Sequence, residues 1–537
     1  MTSLHRYSWV RAVLVVYAIL NAVLYASLLP LWEGFDEPFH YAYVLTLEKQ
    51  HSLPQLGKTE LPAEVWASLH LAPASHVVQF NLPWVVSFSD YFRLPVAERI
   101  RLRERLEHLP DRESVAGGLN YEAHQAPLAY LVMAAVARMC QFASFMTRVW
   151  FLRIFCGMVG AVGTAIFLLR LAERIGLPQA YQGALVFVVL SSQMFYATTA
   201  HIANDWLAVP LMIVLFERLL AFEQNCSLKN LLVLIAAMGA GLLTKGYFLA
   251  LVPFVGVAIA TLTLRRRLHW SGVICFVVSI AVLCGPWYLR NLRLYGNLSG
   301  MQETAGGTDW HGLAAAFGRL PWLLSVKNLA FASIWTGNNS FTSFSFVAVS
   351  ALLAGYVAAA SLWIWDGIQR RRLANGDLLL LCGVAGYGAA LVYSTTVSFW
   401  FSKDAAISAS PWYTQPILPL MLLILFLGLS RGGKVAAMVA LWLTWWSAYI
   451  LSATYWAKLI PLYGGYPDEG KMVLLKLLQW YGHWNTIAET LSLSAVGGPY
   501  LILGLAATVV FASFGLAVII SRSFAAHPST RMSWPRN

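Results

Sequence analysis

The sequence predicts an all-α polytopic membrane protein of about 12 transmembrane helices, 13 if the apolar run at 128–145 also crosses. Three observations predict it. Hydrophobic residues make up 58% of the 537 and charged residues 12%, where soluble domains carry about 25% charge. Apolar runs of about 20 residues recur from end to end, each long enough for a hydrocarbon core of about 30 Å. Basic residues cluster in short loops between those runs, as Arg265-Arg266-Arg267, Arg370-Arg371-Arg372, and Arg431 with Lys434. That placement is the positive-inside pattern. It makes the net charge of +12 a marker of topology and leaves no nucleic-acid partner to expect. The six cysteines are scattered in or beside apolar runs and show neither a disulfide framework nor metal-type spacing.

The first span is expected at 12–31. His5, Arg6 and Arg11 precede it as in a signal peptide, but the run is long for one and no small-residue cleavage site follows. A large first extracytoplasmic loop then covers 32–148. In it, 38–50 reads as a short helix, several prolines break the middle, and 93–113 is a charge-rich solvated helix. The run at 128–145 carries Arg138 and is read as a juxtamembrane or re-entrant helix, because a crossing there would turn the arginine triplets outward. Further spans are expected at 149–169, 180–198, 206–222, 228–243, 247–264, 270–288, 344–365, 378–397, 412–429, 435–454 and 500–520. Both termini lie inside. One transmembrane domain results, with a helical core at 149–430 and C-terminal helices and an outer loop at 431–537. The compartment expected is the bacterial inner membrane.

On this topology the polar residues near span ends gather on the outer side: Asp36, Glu37, His40, Tyr121, Glu122, His124, His201, Asn204, Asp205, Lys245, Arg290 and Asn291. Ionisable groups beside a bilayer are costly unless wet or paired, so a shared outer cavity is the expected arrangement. Each has a plainer reading. Asp36-Glu37 suits interfacial charge, Tyr121-Glu122-Ala123-His124 an ordinary loop, Asn204-Asp205 a helix cap, and Lys245 and Arg290 snorkelling cations. Against these, Asp36-Glu37 sits where the chain leaves the membrane, beside Pro38 and among Trp32, Phe35 and Tyr41. Partial desolvation there raises a carboxyl pKa and makes a better base. Lys245 and Arg290 equally suit a phosphate clamp.

In order along the chain stand Asp36-Glu37 with His40-Tyr41, then Tyr121-Glu122-Ala123-His124-Gln125-Ala126-Pro127-Leu128, then Asp205. Leu243-Thr244-Lys245-Gly246, Trp287-Tyr288-Leu289-Arg290-Asn291 and Trp412-Tyr413-Thr414-Gln415-Pro416 follow. This series resembles the GT-C membrane glycosyltransferases, particularly protein O-mannosyltransferases, lipid A aminoarabinose transferases and their uncharacterised bacterial relatives. It covers roughly residues 10 to 430. Ala126 stands where the family has the first of two prolines, and no lysine follows Glu122.

The resemblance implies an inverting transferase. It would move a sugar from a polyprenyl-phosphate-linked donor to an acceptor hydroxyl on a glycan, lipid or protein outside the membrane. It makes Asp36 the base, with Glu37 and Asp205 as catalytic partners. His40, Tyr121, Glu122, His124, Lys245, Arg290, Asn291 and Tyr413 would bind substrate, the cations holding the phosphate. A lipid phosphate is already a good leaving group, so one base and stabilising cations suffice. No cofactor is expected. Asp36, Glu37 and Asp205 are the set that would hold a divalent metal, but the chemistry is expected to run without one. Competing classes are a transporter or flippase of lipid-linked sugars, a ligase or polymerase using the same donor, and a non-enzymatic assembly subunit. A transporter would place polar groups at the bilayer midplane in repeated halves.

Overall fold

Apolar runs in lipid must satisfy their backbone internally, which leaves the helix as the economical solution, and helices dominate the chain. The computed structural model describes residues 3–75, 78, 84–109, 117–300, 309–370, 375–403, 410–466 and 474–526. Among these, strand is confined to Glu60–Leu61 paired antiparallel with Gly117–Leu119, and two isolated bridges. Eight helices are long and apolar enough to cross a membrane: Trp9–Leu28, Phe145–Arg174, Gly246–Leu264, Trp270–Tyr295, Phe346–Gln369, Asn375–Ser402, Gly433–Tyr463 and Pro499–Ala526. The chain is a multi-pass α-helical membrane protein.

The other four expected spans depart from simple crossings. The run at 180–198 divides into Gln179–Leu190 and Gln193–Thr199, because Ser192 caps the second piece by accepting the Phe195 N–H. The Asp205–Gln224 helix holds Pro210 within it and Glu217 and Arg218 near its end. Leu228–Leu242 has 15 residues. The run at 412–429 begins as a 3-10 turn, Pro411–Thr414, and its helix proper is Leu418–Arg431.

The expected single run at 128–145 is also two elements. Leu128–Met139 has 12 residues, a rise of about 18 Å that falls short of the hydrocarbon core. Ser144 then caps the Phe145–Arg174 helix, so Phe145 belongs to the next span. Residues 371 and 372 of the second arginine triplet lie outside the described residues.

The core is built on the N-terminal helix, Ser3–Leu28. It packs against Phe145–Arg174 and Pro499–Ala526, and Phe145–Arg174 packs in turn on Asp205–Gln224. Glycines let these backbones approach, as small residues do in membrane bundles. A Cβ on Gly160 would lie 3.0 Å from the Trp206 carbonyl oxygen, and one on Gly157 3.0 Å from the Ala200 Cβ. The first loop is not a solvated lobe. Its Glu37–Gln50 helix, anticipated from 38 to 50, is buried from Glu37 to Leu47 except Phe39 and packs on Leu128–Met139. The charged Val96–Glu107 helix lies within the expected 93–113.

Arg153, inside the Phe145–Arg174 helix, is fully buried. Its guanidinium makes two hydrogen bonds to the Glu37 carboxylate, the Nε one at 2.7 Å, and donates to the carbonyls of Leu29 at 2.6 Å and Pro30 at 2.8 Å. Glu37 Oε1 also accepts the Ile202 N–H at 3.1 Å. Burial alone would push the Glu37 carboxyl up, but attraction and hydrogen bonding from Arg153 outweigh it and hold Glu37 below the usual carboxylate range. The stabilisation is therefore complete above the unfolded value of about 4.3 and is lost as pH falls through the lower folded value. Arg153→Leu, which strands a buried carboxylate, should cost about 3–5 kcal/mol. Thermal denaturation in detergent reads this, and the Glu37→Leu/Arg153→Leu pair should lose less than Arg153→Leu alone.

Candidate active site

Asp36 stands at the start of the Glu37–Gln50 helix with φ of 54°. Aspartate tolerates this left-handed region better than most side chains. Pro38 follows within the first turn, where its missing N–H costs nothing. An aspartate at a helix start ordinarily accepts a first-turn N–H through its side chain. Here it does not; the first-turn N–H groups of Phe39 and His40 go to the Asp36 carbonyl instead. The carboxylate is thus turned away from its own helix, and Oδ1 accepts a hydrogen bond from the Tyr121 hydroxyl.

Tyr121 belongs to the 3-10 turn Tyr121–His124, which Asn120 caps by accepting the Glu122 N–H. Asn120 also donates to the Phe39 carbonyl at 3.0 Å, tying the turn to the Asp36 helix. Gln125 Nε2 donates to Glu122 at 2.8 Å, and its Oε1 accepts from Asn204 at 3.0 Å. Asn204 also donates to the Thr244 carbonyl at 3.1 Å, and the Leu128 N–H donates to the Leu243 carbonyl at 2.8 Å. Four segments distant in sequence are locked together by these bonds.

On the last of these, Lys245 Nζ donates to Asp205 Oδ2 at 2.5 Å and lies 4.8 Å from the centre of the Tyr247 ring. The Tyr247 hydroxyl is 3.4 Å from Asp205 Oδ1. His40 Nδ1 is 2.7 Å from the Tyr130 hydroxyl and 4.0 Å from Glu122.

These elements enclose a cavity of about 560 Å³. Its wall holds Asp36, His40, Tyr121, Glu122, His124, Asp205, Lys245 and Tyr413 from the sequence-predicted set. Three predicted residues are elsewhere. Glu37 is committed to Arg153. Arg290 donates to the Pro54 carbonyl at 2.6 Å and lies over Trp287. Asn291 is fully buried and donates to the Leu298 carbonyl at 3.1 Å. None of the three lines the cavity. Trp287 and Tyr288, about one turn earlier on the Trp270–Tyr295 helix, line it instead.

Sequence reasoning did not single out Arg153, Tyr247 or His201. An arginine within an apolar run was a usable signal for the first. Tyr247 is two residues from Lys245, in the 3-10 helix Gly246–Leu251, and carried no mark of its own. His201 was placed on the same side but given no role. Aromatic rings, among them Phe35, Tyr247, Trp287, Tyr387 and Trp412, supply much of the remaining wall.

Burial shapes the electrostatics of the site. Burial and the Asp205 charge push the Asp36 carboxyl up against the opposing pull of Tyr121 and Lys245. Burial, with Asp36 nearby, pushes Glu122 up to about 8, and burial does the same to Glu33. Burial, with Lys245 and the imidazoles of His201 and His124 nearby, holds His40 well below the usual imidazole range. Among the described residues no group of three His, Cys, Asp or Glu side chains is arranged to hold a metal ion. Each cavity carboxylate has a different partner.

A carboxyl raised by folding stabilises the native state fully below its unfolded pKa, and that stability is lost as pH rises towards the folded value. Above about pH 6.5, where the imidazoles of the unfolded chain are already neutral, wild-type stability should therefore fall up to about pH 8, by about 1.4 kcal/mol per pH unit for each such group. Glu122→Gln should flatten this slope, leaving the share due to Glu33 and Asp36. Melting temperatures across that range check it; an unchanged slope would show that Glu122 is ionised in the folded protein.

No protein-family model matches the chain, and no curated protein matches it. Among solved structures, the chain is similar to ArnT from Cupriavidus metallidurans bound to undecaprenyl phosphate. The identity is 15%, with 86% of this chain and 75% of that one covered and a TM-score of 0.41.

Proposed function

We propose that this membrane protein is an inverting glycosyltransferase. It takes a sugar from a polyprenyl-phosphate-linked donor and places it on an acceptor hydroxyl at the extracytoplasmic face. The observation that carries the proposal is the convergence of Asp36, Asp205 and Lys245, from three distant segments, on one aromatic-walled cavity. A carboxylate turned off its own helix suits proton abstraction. A lysine in the same wall suits a departing phosphate. Flat aromatic faces suit the apolar faces of a sugar ring and the start of a prenyl chain.

In the proposed step the acceptor oxygen bonds to the anomeric carbon as the bond from that carbon to the phosphate oxygen breaks. The acceptor proton passes to Asp36, and the electron pair leaves with the polyprenyl phosphate. Lys245 Nζ meets the charge that develops there. A single displacement inverts the anomeric centre. Tyr121 holds Asp36 by its hydrogen bond, and Asp205 holds Lys245. Glu37 acts through Arg153 as a positioning residue. Arg290 and Asn291 shape the wall behind Trp287 and Tyr288 rather than clamp phosphate. The acceptor is a glycan, lipid or protein hydroxyl.

Asp36→Asn, nearly isosteric with the native side chain, should lower transfer by at least about a thousandfold while membrane insertion and melting temperature stay near wild type. Mass spectrometry of cell-envelope glycans and glycoproteins, comparing cells with the wild-type and Asn proteins, supplies the readout. Near-normal product from the Asn protein would remove Asp36 from the mechanism.

Lys245→Met should weaken binding of polyprenyl phosphate about tenfold, as loss of a charge-assisted hydrogen bond does. Arg290→Ala should leave that affinity within about twofold, because its guanidinium is engaged outside the cavity. Titration of purified protein with polyprenyl phosphate separates the two. The opposite ranking would return the phosphate to Arg290.

A further inference from the structure

One cavity side chain has no task in the step above. The His201 imidazole lines the cavity, is 2% exposed, and has no hydrogen-bond partner at either ring nitrogen. A buried polar group without a partner is rare in native structures and marks a place where another molecule completes the bonding. The ring is held firmly. Its Cβ lies where a side chain on Gly34 would begin, 2.6 Å from an added Cβ there. The Phe35 ring packs edge-on against it at 6.3 Å, and Phe35 packs on Trp412 at 4.9 Å. The next residue, Ile202, is fixed by its N–H bond to Glu37. Gly34 and the Glu37–Arg153 pair thus aim an unoccupied imidazole into the cavity beside an aromatic pair.

The ring's chemistry narrows what it would meet. Burial, together with the positive Arg153 and Lys245, holds His201 below the usual imidazole range against the pull of Glu37 and Asp205. A neutral imidazole offers one donor and one acceptor. A phosphate oxygen can only accept and so suits only the ring N–H, whereas a hydroxyl donates or accepts and so suits whichever ring nitrogen meets it. We propose that His201 binds a hydroxyl of the substrate within the cavity and so selects for a hydroxylated group at that position. This rests on the transferase reading, and the hydroxyl belongs either to the transferred sugar or to the acceptor.

The test uses the full-length protein with two probes, polyprenyl phosphate and a polyprenyl-phosphate-linked hexose, together with envelope glycan product in cells. His201→Leu should bind the hexose-bearing lipid about tenfold more weakly and polyprenyl phosphate as wild type does, the loss expected for one hydrogen bond left unmade. His201→Gln, which keeps a donor and an acceptor, should recover most of the affinity. That result assigns the hydroxyl to the sugar. Unchanged affinity for both lipids with product reduced about tenfold assigns it to the acceptor. Unchanged affinities with unchanged product overturn the proposal. If His201→Leu does not fold, His201→Phe against His201→Gln makes the same comparison. Wild-type protein that binds neither lipid overturns the donor assignment, and the role of His201 with it.

Discussion

Arg153 and Glu37 meet in the dry interior, where each would be prohibitively costly alone. The guanidinium spends its remaining hydrogens on the Leu29 and Pro30 carbonyls, at the point where the first helix ends. One charged contact therefore stops the N-terminal span, starts the next helix, and through Ile202 pins the loop before Asp205. Asp36 lies between those fixed points. Its left-handed backbone and outward carboxylate follow from where the ion pair holds the chain on either side.

The cavity then combines few permanent charges with many polar groups. Among its described lining residues Lys245 is the sole lysine or arginine, and it is already paired with Asp205. Burial raises Asp36 and Glu122, so each holds a proton more tightly than an exposed carboxyl does. Weakly screened contacts such as the Lys245–Asp205 pair are strong because the surroundings are apolar.

Much of this was legible in the chain. Hydropathy marked the long helices, since each crossing run must satisfy its own backbone. It did less well where a short signal overrode it. Ser144 and Ser192 restart helices within runs that look continuous, because a hydroxyl that caps an N–H competes with further winding. Residues close to the Asp36 turn were found because they flank the ends of apolar runs. Glu37, adjacent to Asp36, turns away from the cavity because adjacent helix positions face different ways. Its partner lies 116 residues away, and no local pattern joins the two. Arg290 and Asn291 stand beside cavity residues in sequence, but their side chains are engaged by the Pro54 and Leu298 carbonyls, contacts that a motif along the chain does not reveal.

Asn204 offers a last consequence. Its amide reaches both the Gln125 side chain and the Thr244 carbonyl, so it joins the turn carrying Tyr121 to the one carrying Lys245. Tyr121 in turn grips Asp36. Asp36 and Lys245 are thereby mounted on a single truss of hydrogen bonds. A frame of this kind works as a gauge. In the proposed transfer, two reactants would bridge it together only where the distance from nucleophile to leaving group matches the span between those two side chains, so fidelity would reside in a dimension rather than in a catalogue of contacts.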